Sequence, residues 1–125
     1  MKQENFAKGR LGEDMARKYL EKKGYVFVEA NHRNYLGEID LIMIKKQVLN
    51  DEIIFVEVKL KIGDDFGSPE EMLSNGKLAR VQRIAEAFLV LNKNKFLNFN
   101  TRIEAICIVL NADKSISRIT HYDQF

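Results

Sequence analysis

GEIDLIMIKKQVLNDEIIFVEVKLK, residues 37–61, is two apolar segments joined by a short polar turn, and each segment carries charge where a core strand should carry none. Asp40 sits inside Gly37-Glu38-Ile39-Asp40-Leu41-Ile42, and Glu57 and Lys59 sit inside Ile53-Ile54-Phe55-Val56-Glu57-Val58-Lys59-Leu60. Strands near 37–45 and 53–61, separated by Lys46 to Asp51, suit an antiparallel hairpin with a longer loop. An unpaired buried charge costs more than one side chain's packing returns, so these charges should be paired, hydrated or on a metal.

Residues two apart on a strand share a face. Glu57 and Lys59 therefore point one way and Val56 and Val58 the other, with Glu57 and Lys59 roughly 6–7 Å apart along the strand. Glu38 and Asp40 share a face in the same manner. Should the hairpin bring that face beside Glu57, two or three carboxylates and one ammonium converge. Clustered carboxylates repel unless a cation lies between them, and all-oxygen ligands favour a hard ion such as Mg²⁺ or Mn²⁺. Such an ion acidifies water and neutralises a phosphoryl transition state, and a neighbouring lysine helps orient the water or stabilise developing charge. The chemistry that follows is metal-assisted hydrolysis, with phosphodiesters as the expected substrate. The competing reading is a structural ion pair in a half-exposed strand. With 11 Glu and 13 Lys, about one Glu-x-Lys arises by chance, and Glu21-Lys22-Lys23 is such a case. Only the second instance is set in an apolar strand.

Outward from this hairpin, residues 5–23 read as a helix, with Phe6, Leu11, Met15, Ala16, Tyr19 and Leu20 on one side and Gly24 as its C-cap. Glu13 lies beside that stripe, and a pair with Arg17 at i+4 is the bland expectation for it. Tyr25 to Glu29 reads as a strand and Asn31 to Tyr35 as its polar end and turn. Ser68-Pro69-Glu70-Glu71 is a capped helix start, cut short by Ser74-Asn75-Gly76. A second helix is expected from Lys77 to Asn92, followed by strands at 101–110 and 116–122. The 125 residues make one domain of α/β or α+β type, with a mixed sheet of about five strands flanked by helices.

Hydrophobic residues at 46% and charged residues at 30% fit a globular chain, and a formal charge of +2 restricts any nucleic-acid surface to a local patch. A single cysteine, Cys107, excludes an internal disulfide and a cysteine-rich zinc site; it reads as a core residue. The start of the chain lacks the apolar segment of a signal peptide, and no apolar run reaches membrane-spanning length, so a cytoplasmic protein is expected. Lys77, Arg80 and Arg83, stepping by three along a helix, could join Lys61 and Arg33 to track a phosphate backbone; a solvated face is the alternative. His32 and His121 have no partner at metal-ligand spacing and read as surface or strand-end residues. Phe88, Phe96 and Phe99 suit core packing, and Phe66-Gly67 suits a flap or a plain helix entry.

Gly12-Glu13, Gly24-Tyr25, Asn31, Arg33, the GEIDLI run from Gly37, Phe55-Val56-Glu57-Val58-Lys59, Phe66-Gly67 and Lys77 together resemble the YraN family. These are small bacterial proteins of the restriction-endonuclease-like PD-(D/E)xK superfamily, and the match spans nearly the whole chain. The resemblance implies Asp40 and Glu57 as metal carboxylates, Lys59 as catalytic lysine and the Val58 carbonyl as a further ligand. It likens Glu13 to the first-helix glutamate of archaeal Holliday-junction resolvases, which completes the same site, and leaves Glu38 as a supporting residue. It further implies a restriction-endonuclease-like fold, a DNA substrate, branched or otherwise structured, and a homodimer. Two positions depart from the pattern: Lys61 stands where the family usually has Arg, and Arg102-Ile103-Glu104 where it tends to have Arg-Phe-Asp. A non-catalytic module that binds nucleic acid or protein through the same fold is the alternative.

Overall fold

The computed structural model describes the backbone of residues 2–63 and 67–124, with side chains from Lys8 onward in that range. Helix α1 (Lys2–Lys22) leads into strands β1 (Val26–Asn34), β2 (Gly37–Lys45) and β3 (Glu52–Ile62). A single 3-10 turn (Pro69–Met72) precedes helix α2 (Asn75–Leu91), and strands β4 (Asn100–Leu110) and β5 (Ile116–Tyr122) close the chain. Phe6 and Phe66 lie outside the described side chains.

α1 stops as its sequence dictates. Gly24 takes a φ of 93°, its N–H reaches the Glu21 carbonyl and the Tyr25 N–H reaches the Leu20 carbonyl, both at 3.0 Å. That double bond pattern needs a left-handed residue, which glycine adopts without penalty. α2 begins two residues earlier than the periodicity suggests. Ser74 caps it, the serine oxygen accepting from the Lys77 N–H at 3.2 Å, so Ser74-Asn75-Gly76 opens the helix instead of interrupting one. Ser68, by contrast, makes no side-chain cap, and its helix start yields only the 3-10 turn. Glu70 of that turn is drawn onto β5, where its carboxylate accepts from both Arg118 nitrogens at 2.6 and 3.0 Å and from the Tyr122 hydroxyl at 2.6 Å. β1 extends to Asn34, past the expected end at Glu29.

The five strands lie in the order β1-β2-β3-β4-β5. β1, β2 and β3 pair antiparallel as consecutive hairpins, β4 runs parallel to β3, and β5 returns antiparallel. The parallel step requires a crossover, and α2 supplies it. α1 covers one face of the sheet, packing Ala16 and Leu20 on Leu41, Ile54, Val56 and Ile106. α2 covers the other, with Val81, Ile84 and Phe88 on Ile42, Ile53 and Phe55. Phe96 and Phe99 join this second core, and Cys107 is buried, as the sequence indicates. This is a single-domain, restriction-endonuclease-like α/β arrangement around one mixed sheet. Among the described residues no helix is long and apolar enough to cross a membrane.

The histidines fall near the ends of β1 and β5, as the sequence indicates, with more cover than a strand end requires. His32 is edge-on to Phe88, with 4.9 Å between ring centroids. His121 is buried between Tyr19 and Tyr25, where its Nε2 lies 2.7 Å from the fully buried Glu104. The Tyr25 hydroxyl donates to the same Glu104 oxygen at 2.9 Å. Neither histidine is a surface residue, because each meets aromatic partners that come from distant parts of the chain.

Candidate functional site

β2 and β3 stay paired from Lys45↔Glu52 to Leu41↔Val56, and beyond Leu41 the ladder ends. β3 continues on its other side, parallel to β4 as far as Ile62↔Leu110. One edge of β3 from Glu57 onward is therefore open. The opening coincides with a break in alternation: Ile39 and Leu41, two residues apart, join opposite cores, which a regular strand does not permit. Across the β1–β2 ladder, between the Ala30↔Leu41 and His32↔Ile39 pairs, Asn31 has a φ of 54°.

Asp40 fills the opening. Its Oδ2 accepts a hydrogen bond from the Val58 N–H at 2.7 Å. The N–H and C=O of one strand residue leave on the same side, so the Val58 carbonyl looks into the opening as well. Glu57 and Lys59 share a face, their Oε1 and Nζ 3.4 Å apart. A second ammonium joins them from the helix face that the sequence offers as a phosphate contact: Lys77 Nζ, from the first turn of α2, lies 3.5 Å from the same Glu57 oxygen. The Ser74 cap fixes where that first turn begins.

Burial, and then the charge of Glu57, push the Asp40 carboxyl up to about 7, against the pull of the Val58 N–H and Lys59. Glu13 is raised too, chiefly by burial and partly by Glu38, while a hydrogen bond from the Asn31 side chain works to lower it. The pair expected between Glu13 and Arg17 does not form. Arg17 bonds Glu21 at 3.3 Å and lies over the Phe27 ring at 3.6 Å. Gly12 is what brings Glu13 close: a Cβ there would meet Leu60 Cβ at 3.3 Å. For Lys59, burial favours loss of the proton, but contact with Lys77 and the charges of Glu57 and Asp40 hold its pKa above the usual value. Lys77 is shifted the other way, by burial and by Lys59.

Two clefts flank Asp40. A groove of about 320 Å³ on the α1 side is lined by Lys8, Glu13, Asp40, Val58, Lys59 and Lys61. A smaller one of about 180 Å³ on the α2 side is lined by Glu38, Asp40, Glu57, Lys77 and Arg80. Asp40, Glu57, Lys59 and Glu13 are thus brought together, with Lys61 and Arg80 at the rims. Arg33 is exposed and pairs with Glu38 at 3.4 Å, and Arg83 is exposed and lines neither cleft. Among the described residues no three His, Cys, Asp or Glu side chains converge tightly enough to hold a metal alone. Two carboxylates and a carbonyl still fit Mg²⁺ or Mn²⁺, because Mg²⁺ commonly takes one or two protein carboxylates and completes its shell with water and phosphate. The raised Asp40 pKa comes first from burial and then from repulsion by Glu57, and a bound cation would offset both.

Fold and site together define an α/β protein with carboxylates and lysines gathered where two central strands part. The chain belongs to the uncharacterised protein family UPF0102, the YraN family, matching it over residues 12–108. It is 35% identical to a UPF0102 protein of Clostridium beijerinckii, covering 97% of this chain and 94% of that one. Similar proteins come from Alkaliphilus oremlandii, 38% identical over 82% of this chain and 84% of that one, and Dictyoglomus turgidum, 39% identical over 82% of each.

Proposed function

We propose that this protein is a divalent-metal-dependent endonuclease that hydrolyses phosphodiester bonds in branched or otherwise structured DNA inside the cell. One observation carries the reading: the Asp40 and Glu57 carboxylates meet at the β2–β3 opening with the Lys59 ammonium 3.4 Å from Glu57. Asp40, Glu57 and the Val58 carbonyl would hold Mg²⁺ or Mn²⁺, with Glu13 completing the site. A cation there supplies charge neutralisation at the phosphodiester and makes water a better nucleophile near neutral pH. Lys59 orients that water and stabilises charge developing on the phosphate. Lys77, on the same Glu57 oxygen, does the same from α2. Lys61 and Arg80 hold flanking phosphates, and Arg33 and Arg83 extend that contact.

A second reading has its own support. Both lysines lie within 3.5 Å of Glu57 and balance its charge, as in a structural cluster of a non-catalytic module that binds nucleic acid or protein. Calorimetric titration of Mn²⁺ into the protein and into Asp40→Asn separates the two, followed by incubation with forked, flapped and four-way DNA. The expected result is binding and cleavage by the parent and neither by Asp40→Asn, with Lys59→Ala binding metal but not cleaving. Cleavage retained in both variants sinks the assignment. Salt-dependent DNA binding with no metal uptake supports the non-catalytic module.

A further inference from the structure

The β1–β2 hairpin turns in two residues, Tyr35 and Leu36, between the last ladder pair Asn34↔Gly37. Turns this tight ordinarily use Gly, Asn or Asp, chosen for backbone conformation. Here neither tip residue has a positive φ; that role falls to Gly37, at 144°. Tyr35 is 88% exposed and packs on nothing in either core. Turn chemistry does not account for a tyrosine here, and packing does not either.

The tip is nonetheless held firmly. Asn34 Oδ1 accepts from the Leu36 N–H at 2.9 Å, and Asn34 Nδ2 donates to the Ile84 carbonyl of α2 at 3.2 Å. The hairpin is thereby fixed to the helix that supplies Lys77 and Arg80. The Arg80 guanidinium lies against Gly37, where a Cβ would sit 3.3 Å from Nη2. The Arg33 side chain, two residues before Tyr35, is 77% exposed and pairs with Glu38. Gly37 is three residues from Asp40 on the same strand, about 10 Å along it. An exposed aromatic ring thus sits at the tip of a hairpin that carries Arg33, lies against Arg80 at Gly37 and leads along β2 to Asp40.

We infer that Tyr35 is a stacking site for an unpaired base of the DNA strand held at Asp40, so that the hairpin tip selects substrates with a fork or flap. Arg33 and Arg80, carried by the hairpin and by the helix it is fixed to, hold the backbone while the ring receives the base, a combination that tolerates any sequence because every base has a π-face. In a blunt duplex the bases are already stacked, and the ring gains little.

This inference rests on the DNA reading of the Asp40 site but is tested without cleavage. The chain has no tryptophan, so Tyr35→Trp places a single reporter at the tip. In metal-free buffer, forked DNA is expected to quench the indole emission of this variant and an equal-length blunt duplex to leave it nearly unchanged. With the native tip, the ratio of forked to duplex affinity is expected to fall about tenfold on Tyr35→Ala and to survive Tyr35→Phe. The tip is exposed, so these variants fold. Equal emission with forked and duplex DNA, or an unchanged ratio in Tyr35→Ala, overturns the proposal. Quenching together with an absence of metal-dependent cleavage supports the stacking site while removing the nuclease reading.

Discussion

Asp40 carries both the chemistry and a cost. With its carboxyl raised from 3.8 to about 7, the folded chain keeps a proton that the unfolded chain releases between about pH 4 and 7. Stability contributed by this group is present in full below about pH 4 and lost as pH rises through 7. A difference of about three pKa units corresponds to at most about 4 kcal/mol. The metal-free protein is therefore expected to lose stability between pH 4 and 7, and Asp40→Asn to show a flatter profile and a higher denaturation midpoint at pH 8. Parallel pH profiles for the two proteins would contradict the raised pKa. At this scale much of the site was legible. Asp40, Glu57 and Lys59 stand out because each interrupts an apolar strand. Lys77 was legible as a basic residue of α2 but not as a partner of Glu57, since that approach depends on how α2 sits over β3. Glu104 escaped for a like reason: its partners Tyr25 and His121 lie 79 and 17 residues away in the chain.

Among the elements, α2 has the most specific dependence on a single residue. Ser74 is its N-terminal side-chain cap, and it sets the turn from which Lys77 reaches Glu57. Ser74→Ala is expected to cost about 1 kcal/mol, read as a lower urea midpoint with an unchanged slope. An unshifted midpoint would mean that the Ser74–Lys77 bond contributes nothing in solution. Local chemistry predicted the end of α1 because Gly24 and its neighbours decide it alone. It misjudged Ser68-Pro69-Glu70-Glu71, whose cap signals are as good as those at Ser74. There Glu70 is bound by Arg118 and Tyr122, and that partner lies on the last strand, beyond the reach of any local pattern. The same holds for the end of β1, where the left-handed Asn31 reads as a turn signal yet sits inside the strand.

For the molecule as a whole, the sequence pattern specified helices flanking a mixed sheet because strand and helix periods differ. Strand order was less accessible, since apolar residues on both faces of β3 and β4 mark them as central without saying which neighbours they take. The parallel pairing of β3 with β4 has a consequence for synthesis. Its partners, such as Glu52 and Asn100, are 48 residues apart in the chain. A ribosome therefore extrudes both strands bearing Asp40 and Glu57 well before β4 exists to seal β3. Until then the nascent chain displays an apolar, unpaired strand edge, the kind that recruits other chains. A fragment ending at residue 95 is expected to form sedimenting aggregates at concentrations where the full chain stays dispersed, and adding a peptide spanning residues 99–111 should suppress them. Birth, for this fold, is the hazardous stage, and the hazard falls on the strand that carries the chemistry.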